Sequence, residues 1–464
     1  MTDPSPAPNS NPDVIVIGAG PAGEVLAGRL AEGGLSVTIV ERELVGGECA
    51  YWACMPSKAL LRPGQALAEA RRLPGAAEAV TGTLDAAAVL RRRDEIIHDL
   101  DDSGQIPWLD DKGITLVRGH GRLTGERSVT AGDVELTATR AVVVATGTEA
   151  FLPPVDGLAE AKPWTNREAT VSKAVPGSLI VLGGGPVGCE LAQAWRSLGS
   201  EVTLIEAGEE VLAREESFAG AQVRAGLEAD GITVLCGRKA SRVARESDGG
   251  TVTVTLDDGT ELVADELLAA VGRTPLTGDL GLDTLGLEPG KPITVRDTMQ
   301  AEDHDWLYAV GDANGRIQLT HMGKYQARLA ADHILGKEDA YLCTDGAQSP
   351  RVTFTEPQVA AVGHTKASAE ELGMTVRCVD VGFGANAGGS FVGKDAPGTA
   401  RFVVDEDRRV LVGATFTGVD VAESLHAATI AIVGEVPLER LWHAVPSFPT
   451  RSEIWLHFME AYGL

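Results

Sequence analysis

The sequence lacks an excess of positive charge, since its 40 Lys and Arg residues stand against 66 Asp and Glu and give a formal net charge of −26 at pH 7. Nucleic-acid binding requires a basic surface, and so does adhesion to anionic membranes, so we expect neither. No apolar run reaches the roughly 18 residues of a membrane span. Hydrophobic residues still make up 44% of the 464 residues, enough for several globular domains.

Cysteine is also scarce, with six in the whole chain, which excludes a secreted disulfide framework. The first dozen residues, MTDPSPAPNSNP, have neither the basic nor the apolar region of a signal peptide. We therefore expect a flexible tail over residues 1–12 and a place in the reducing cytoplasm. A disulfide in that compartment is usually catalytic.

Two of the six cysteines stand close together in GGECAYWACMPSK, residues 46–58. Five residues of ideal helix rise about 7.5 Å, and a disulfide tolerates Cα separations only up to roughly 6.8 Å. A bridge from Cys49 to Cys54 therefore requires an irregular segment. A zinc site would need further ligands at short spacing, but the next cysteine is Cys189. Two inert buried thiols are the other alternative, and the surrounding Gly, Pro, Ser and Lys favour a redox pair.

A glycine-rich pattern occurs twice, 165 residues apart: DVIVIGAGPAGEVLAGRLAEGGLSVTIVER and SLIVLGGGPVGCELAQAWRSLGSEVTLIEA. Each copy runs strand, glycine turn, helix and strand, and an acid, Glu41 or Glu206, stands 18 residues after the third glycine. Such glycines suit a tight turn, close approach of a pyrophosphate and helix packing, while the acid accepts hydrogen bonds from a ribose. The repeat predicts two dinucleotide sites, with the glycines Gly18, Gly20 and Gly23 in one and Gly183, Gly185 and Gly188 in the other.

Together with the pattern GGxCx4CxPSK, these features resemble the FAD-dependent pyridine nucleotide–disulfide oxidoreductases, the family of dihydrolipoyl dehydrogenase, glutathione reductase and mercuric reductase. The resemblance implies an α/β fold with two Rossmann-like dinucleotide-binding domains and a C-terminal α+β dimerisation domain. It implies an FAD-binding domain over 13–150 and 274–345, an NAD-binding domain over 151–273, and an interface domain over 346–464. FAD and NAD(H) are the implied cofactors, and the implied assembly is a homodimer.

The resemblance also implies roles for single residues. NADH would reduce FAD, and reduced flavin would open the disulfide, with Cys54 as the flavin-proximal thiolate and Cys49 as the thiol that attacks a small-molecule substrate. Lys58 and Glu190 match an ion pair beside the flavin. The other implied cofactor residues are Glu41, Gly121, Thr146, Gly147 and Asp312 toward FAD, His321 packed beside the flavin, and Glu206 and Gly272 in the NAD domain.

Nucleotide choice is predicted from Glu206, because a carboxylate at that place favours a ribose 2′-hydroxyl and repels a 2′-phosphate. The first arginine downstream is Arg214. The sequence therefore predicts NADH over NADPH.

One position departs from the family pattern near the end of the chain. The family's His-Pro-Thr-x-x-Glu segment appears here as FPTRSE, so Phe448 occupies the place of the proton-shuttling histidine and Glu453 keeps the place of its orienting partner. General acid–base help is worth roughly 10²–10⁴ in rate. His443 would have to act from a different place on the backbone. We therefore predict reduction of a disulfide or related sulfur substrate whose thiol is acidic enough to leave unaided.

Two alternatives stay open: an NADH-dependent reductase of a quinone, dye or metal ion, and a non-catalytic nucleotide-binding dimer. Mercury is not expected, because the closing HFMEAYGL has no cysteine pair. Tyr51 and Trp52 predict either an aromatic substrate mouth or core packing. The RRRDE run within residues 84–100 predicts a helix whose charges face solvent.

Overall fold

A computed structural model describes residues 10–247, 249–337, 342–393, 396 and 398–464. Most of the predicted tail, 1–9, lies outside the described residues. The carbonyls of Ser10 and Pro12 accept backbone hydrogen bonds from Thr137 and Thr139, each at 2.9 Å.

The helices alternate with strands through much of the chain. The α-helices are α1 Pro21–Glu32, α2 Gly47–Tyr51, α3 Cys54–Arg72, α4 Ala86–Ile96, α5 Ile106–Asp111, α6 Asn166–Val171, α7 Pro186–Ser197, α8 Ser217–Ala229, α9 Thr320–Ile334, α10 Lys366–Glu371, α11 Leu425–Val433, α12 Leu438–Leu441 and α13 Ile454–Tyr462. Short 3-10 turns lie at Ala77–Ala79, His98–Leu100, Ser103–Gln105, Leu282–Leu285, Gly311–Asn314, Gly346–Gln348, Gly389–Val392, Ala422–Ser424 and Arg451–Glu453.

The strands are β1 Val14–Ile17, β2 Val37–Glu41, β3 Thr115–Arg118, β4 Gly121–Gly125, β5 Ser128–Ala131, β6 Val134–Thr137, β7 Ala141–Val144, β8 Thr148–Ala150, β9 Ser178–Leu182, β10 Glu201–Glu206, β11 Thr233–Cys236, β12 Ala240–Arg245, β13 Val252–Leu256, β14 Glu261–Ala264, β15 Glu266–Ala269, β16 Arg273–Pro275, β17 Leu307–Ala309, β18 Arg351–Thr353, β19 Gln358–Gly363, β20 Val376–Gly382, β21 Thr399–Asp405 and β22 Val410–Gly418.

The first of two compact units falls within Met1–Pro56, Asp94–Ala150 and Arg273–Gly346. Its centre is a parallel sheet in the order β17-β7-β1-β2-β3, with β1 between its βαβ partner β2 and β7. Every residue of β1 and β7 is buried, which explains their continuous apolar sequence. The returning strand β17 pairs with β7 and completes the sheet.

The second unit falls within Ser57–Arg93, Phe151–Gly272 and Ala347–Leu464. It contains a second parallel sheet, β11-β10-β9-β15, built on the second glycine repeat. An antiparallel sheet, β18-β19-β22-β21-β20, follows, and Asp405 ends β21 where the chain turns into β22. Helices α11 and α13 pack on this sheet through residues such as Phe458 and Ala428. The predicted fold class is therefore confirmed.

The predicted solvent-facing charge run is wrong at one position. Helix α4 forms where expected, but Arg93 is fully buried and donates hydrogen bonds to the carbonyls of Thr170 and, at 2.8 Å, Ser172. Arg93 lies one helical turn after Val89, which is also buried, so the 3.6-residue period places it on the inner face. Across the described part of the chain, no helix is both long and apolar enough to cross a bilayer.

Candidate redox active site

The segment that carries the two cysteines is a broken helix anchored on the first glycine turn. Gly46 caps α2 with a φ of 111°, a value that favours glycine, and its N–H donates to the Ala19 carbonyl at 2.8 Å. Helix α2 ends before Trp52, whose φ is −131°, and α3 begins at Cys54. The irregular segment predicted between Cys49 and Cys54 is therefore present.

The two cysteines differ in electrostatic environment. Cys54 is the first residue of α3, and its Sγ lies 3.3 Å from the Oγ1 of Thr320, the first residue of α9. Two helix N-termini, which favour negative charge, thus lie next to this sulfur. The pKa of the Cys49 thiol is raised, first by its hydrogen bond with Cys54 and then by burial, while Thr320 and Lys324 lower it. Within the pair, Cys54 is the better placed thiolate and Cys49 the better placed proton carrier.

The aromatic residues between the cysteines divide into one core residue and one partly exposed residue. Tyr51 is only 1% exposed and lies under the turn, where a Cβ on Gly46 would approach its Cε2 to 3.0 Å. Trp52 is half-buried, and the two ring centroids lie 5.8 Å apart. Of the two predicted alternatives, core packing is therefore the one that holds for Tyr51.

Both predicted dinucleotide turns have the same local geometry. Gly18 and Gly183 have φ values of 106° and 105°. A Cβ on Gly23 would lie 2.0 Å from the Gly18 carbonyl oxygen, and one on Gly188 would lie 1.9 Å from that of Gly183. Only glycine therefore lets each helix approach its strand so closely, as a dinucleotide turn requires.

The predicted ribose-binding acids also correspond. In the first turn, Glu41 accepts hydrogen bonds from the backbone of Ala19 at 2.6 Å and of Glu43 at 2.7 Å. Glu206 in the second turn accepts equivalent bonds at 2.5 and 2.6 Å, from Gly184 and Gly208. Each carboxylate is thus fixed at the end of its strand, beside the helix N-terminus that would bind a pyrophosphate.

The first unit offers further polar groups that fit an FAD molecule. The Oγ1 of Thr146 is buried and has no hydrogen-bond partner within the residues that the structure describes. Asp312 is a carboxylate whose pKa is raised, because burial outweighs the hydrogen bond from Thr148 and the charge of Arg273. An orphaned hydroxyl and a half-buried acid near a dinucleotide turn suit a ligand rich in hydroxyl and phosphate groups.

Four other predicted cofactor residues lie at the ends of elements. Gly147 and Gly272 follow β7 and β15 with φ values of 72° and 151°. Gly121 opens β4, where a Cβ would approach the side chain of Ile17 to 2.8 Å. His321 is exposed on the first turn of α9. Their contacts with cofactor stay predictions.

The predicted ion pair of Lys58 and Glu190 is present in the second unit, with Nζ and Oε2 2.6 Å apart. Glu190 also accepts the backbone N–H of Phe354 at 2.9 Å through its other oxygen. The Lys58 ammonium lies 4.7 Å from the centroid of the Phe354 ring, a cation–π contact that the sequence reasoning missed. Glu190 and the Phe354 ring thus hold the Lys58 ammonium, near the start of α3.

The C-terminal segment presents apolar side chains rather than a base. Phe448 is 76% exposed and Val445 is 83% exposed, and His443 is exposed as well. The Oε2 of Glu453 is buried and finds no hydrogen-bond partner among the described residues. The acid that would orient a histidine is therefore retained in a segment without one at the matching position.

Sequence reasoning also missed the contact of Thr320 with Cys54 and the pair Thr148 and Arg273. Thr320 stands directly before the predicted flavin-side His321, so a helix start after QL was a usable signal. Arg273 donates to the Thr148 hydroxyl at 2.6 Å across 125 residues of sequence, a contact without a local signal.

Two dinucleotide turns, a dithiol at a helix start and a lysine–glutamate pair define a nucleotide-dependent dithiol oxidoreductase. The family model described as pyridine nucleotide-disulphide oxidoreductase matches residues 12–327, and the model of that family's dimerisation domain matches residues 349–458. The chain belongs to this family. It is an FAD-dependent enzyme that uses NAD(H), and its dimerisation domain supports a homodimer.

Similar proteins fall in more than one branch of the family. Dihydrolipoyl dehydrogenase of Rhizobium etli is 31% identical, covering 97% of this chain and 98% of its own length. Mercuric reductase of Lysinibacillus sphaericus is 29% identical, covering 96% and 81%. A Cu(II) complex of the HOCl-induced flavoprotein disulfide reductase RclA from Escherichia coli matches with a TM-score of 0.85 at 23% identity, covering 97% and 99%, which shows the shared fold.

Proposed function

We propose that this enzyme uses NADH to reduce a small disulfide, or a related sulfur electrophile, whose thiol leaves as a stable thiolate. The observation that carries the proposal is the asymmetry of the cysteine pair. Cys54 has its sulfur at two helix N-termini, whereas the hydrogen bond with Cys54 and burial raise the pKa of the Cys49 thiol. This arrangement favours a dithiol that delivers electrons through one sulfur and attacks substrate through the other.

The residues of each turn have separate tasks in this proposal. The first turn and Glu41 bind FAD, together with Thr146, Gly147 and Asp312. The second turn and Glu206 bind NADH, and the fixed carboxylate disfavours a 2′-phosphate. Bound FAD supplies a two-electron relay between the nicotinamide and the disulfide. Lys58, held by Glu190 and Phe354, provides a positive charge that favours electron-rich flavin.

Substrate reduction then balances through two thiol–disulfide exchanges. Cys49 first loses its proton to water, and its thiolate then attacks one sulfur of the substrate disulfide. This attack breaks the S–S bond, forms a mixed disulfide and releases one thiolate, which takes up the proton that Cys49 lost. Cys54 attacks the Cys49 sulfur, which releases the second thiolate and restores the Cys49–Cys54 disulfide. NADH supplies the two electrons of each cycle, and a solvent proton completes the pair of product thiols.

The Phe448 position explains the proposed substrate class. Phenylalanine transfers no proton, so departure of the first thiolate relies on its own acidity, and a thiol of lower pKa leaves faster. Aromatic or otherwise activated disulfides meet this requirement better than alkyl disulfides do. The exposed Phe448 ring also suits an apolar substrate.

The variant Cys49→Ser tests the thiol step and separates the second candidate. Disulfide reduction should fall to background, while NADH-dependent reduction of a quinone dye should continue at the wild-type rate because it does not need Cys49. Retention of disulfide reduction by Cys49→Ser would contradict the proposal. The missing histidine is the observation that favours the second candidate, a reductase of a quinone, dye or metal ion. Quinone reduction that far exceeds disulfide reduction in the wild type would support this candidate.

The variant Phe448→His tests the substrate class. Restoring a proton donor should raise kcat/KM for small alkyl disulfides about tenfold or more, because general acid help is worth roughly 10²–10⁴ when geometry is ideal. Phe448→Leu is the matched control and should produce no such gain. Equal rates for Phe448→His and Phe448→Leu on alkyl disulfides would show that proton supply is not the limiting factor.

The cellular location is also proposed. The low cysteine count, six in 464 residues, supports a cytoplasmic enzyme. Cell fractionation with an antibody against the chain would test it.

A further inference from the structure

Arg273 connects two parts of the first unit that sequence places far apart. It opens β16, which pairs with β8, the strand that begins at Thr148. Its Nε donates to the Thr148 hydroxyl at 2.6 Å, and its Nη2 donates to the Thr148 carbonyl at 2.8 Å. The same Nη2 lies 3.4 Å from the Oε1 of Glu48, the residue before Cys49. One guanidinium therefore contacts both strand β8 and the segment from Gly46 to Cys54, which we call the redox turn.

The direction of the hydrogen bonds follows from donor chemistry. A guanidinium has only donors, so the Thr148 oxygen accepts from Arg273 and its own proton is directed elsewhere. The acceptor is Oδ2 of Asp312, at 2.6 Å. The hydrogen bonds therefore run in one direction, from Arg273 through Thr148 to Asp312, and they hold the half-buried carboxylate as an acceptor.

Burial makes these contacts strong. The side chains of Arg273 and Glu48 are 20% and 24% exposed, so water and salt screen their charges less than at the surface. The charge of Arg273 and the Thr148 hydrogen bond lower the pKa of Asp312 against the effect of burial, and Glu48 raises it. The charge of Arg273 therefore acts on both carboxylates, Glu48 and Asp312.

We propose that Arg273 is a positioning residue that couples the redox turn to the FAD-binding carboxylate, with Glu48 and Thr148 as its two contacts. Thermodynamic linkage requires this coupling to act in both directions. Bound FAD therefore stabilises the redox turn, and an intact contact between Glu48 and Arg273 slows FAD release. The inference rests on the proposed function only in taking Asp312 as an FAD ligand. A purely structural alternative is that Arg273 fastens β16 to β8 and affects the cofactor no further.

A double-mutant cycle on the holoenzyme separates these alternatives. The variants are Thr148→Val, Glu48→Gln and the double variant, and the readout is the FAD dissociation rate, followed by the rise in flavin fluorescence. We expect Thr148→Val to speed release about tenfold and Glu48→Gln about threefold, on the scale of hydrogen bonds to charged groups. If Arg273 couples the two sites, the double variant should release FAD no faster than Thr148→Val alone.

Conservative variants provide the control. Thr148→Ser keeps the hydroxyl and should release FAD at the wild-type rate. Arg273→Lys keeps the positive charge but loses the several donors of the guanidinium, so it should release FAD as fast as Thr148→Val does. Multiplicative effects in the double variant, or failure of Thr148→Ser to retain FAD, would overturn the proposal. FAD release requires no turnover, so the result stands apart from the Cys49→Ser test of the disulfide reaction.

Discussion

The two glycine turns of this enzyme have the same backbone geometry and differ in the side chains that follow them along the helix. Gly18 and Gly183 have nearly the same φ, and Glu41 and Glu206 accept corresponding backbone hydrogen bonds. The position that holds Val25 in the first helix holds Glu190 in the second. We therefore expect the common geometry to bind the part that the two dinucleotides share, and the divergent helix positions to act in the redox chemistry.

The neighbours of each turn extend this difference. The first glycine turn packs against the redox turn. A Cβ on Gly47 would lie 2.8 Å from the Gly20 Cα, and the N–H of Gly46 donates a hydrogen bond to the Ala19 carbonyl. The second turn leads into Glu190, which fixes Lys58. We infer that one turn positions the dithiol while the other positions the cation.

The largest expected effect comes from filling the third glycine of either turn. Gly23→Ala should yield protein without yellow colour, and Gly188→Ala should yield yellow protein that NADH does not bleach. The reason is a steric clash, because the new Cβ would lie 2.0 Å from a carbonyl oxygen in Gly23→Ala and 1.9 Å from one in Gly188→Ala. Absorbance spectra before and after anaerobic NADH measure both outcomes.

Gly20→Ala and Gly185→Ala are matched controls for folding. Their Cβ atoms would meet nothing within 4 Å in the described structure, so the cofactor-free proteins should melt as the wild type does. Full FAD retention by Gly23→Ala would contradict the assigned role of the first turn.

The next effect tests the residue that distinguishes the second helix. Lys58→Met should slow flavin reduction by NADH at least tenfold and lower the free energy of unfolding by about 1–2 kcal/mol, because Glu190 is left buried without its cation. Stopped-flow absorbance and denaturant titration measure the two quantities.

Lys112→Met is the matched control, since Lys112 and Glu32 form an ion pair of the same 2.6 Å length at the surface. That variant should behave as the wild type in both assays. Equal stability losses in the two variants would remove the special status of the Lys58 pair.

A smaller effect is expected from the ribose acids. Glu206→Gln should lower kcat/KM for NADH about tenfold and narrow the preference over NADPH, because the carboxylate favours the 2′-hydroxyl. Glu41→Gln should weaken FAD retention and leave the NADH to NADPH ratio unchanged. A ratio unaffected by Glu206→Gln would assign nucleotide choice to other residues.

The smallest effect concerns stability. Burial raises the pKa of Glu24, which follows the third glycine of the first turn, from 4.5 to about 7, with Lys324 opposing and Glu41 adding to the rise. A raised pKa contributes stability that is fully present below pH 4.5 and is lost as the pH rises through 7. The upper bound on this contribution of Glu24 to the free energy of unfolding is about 3 kcal/mol.

Glu24→Gln should therefore melt a few degrees above the wild type at pH 8, with the difference shrinking toward pH 5. Thermal unfolding of FAD-free protein across this range measures it. If the wild type and the variant have parallel pH profiles, the pKa of Glu24 is not raised in the folded protein.

Local patterns sufficed for much of this molecule. The glycine spacing predicted both turns, because close helix packing and positive φ require glycine at fixed places, and the helix break between Cys49 and Cys54 followed from disulfide geometry. The pair of Lys58 and Glu190 was predicted only through the family resemblance.

Long-range contacts account for what could not be predicted. Arg273 meets Thr148 across 125 residues and Glu48 across 225, and no local pattern encodes such a meeting. Arg93 was misjudged from the charges around it, although the helical period relates it to buried Val89. Tyr51 was ambiguous because an aromatic residue suits both a core and a substrate mouth.

The most direct test of this account is anaerobic reduction by one equivalent of NADH, followed by alkylation and mass spectrometry of each cysteine. We expect Cys49 and Cys54 to be protected before reduction and both to be alkylated after it, while Cys189, which is fully buried, stays unmodified throughout. If NADH bleaches the flavin and leaves Cys49 and Cys54 as they were, electrons do not reach the pair, and the dithiol account is wrong.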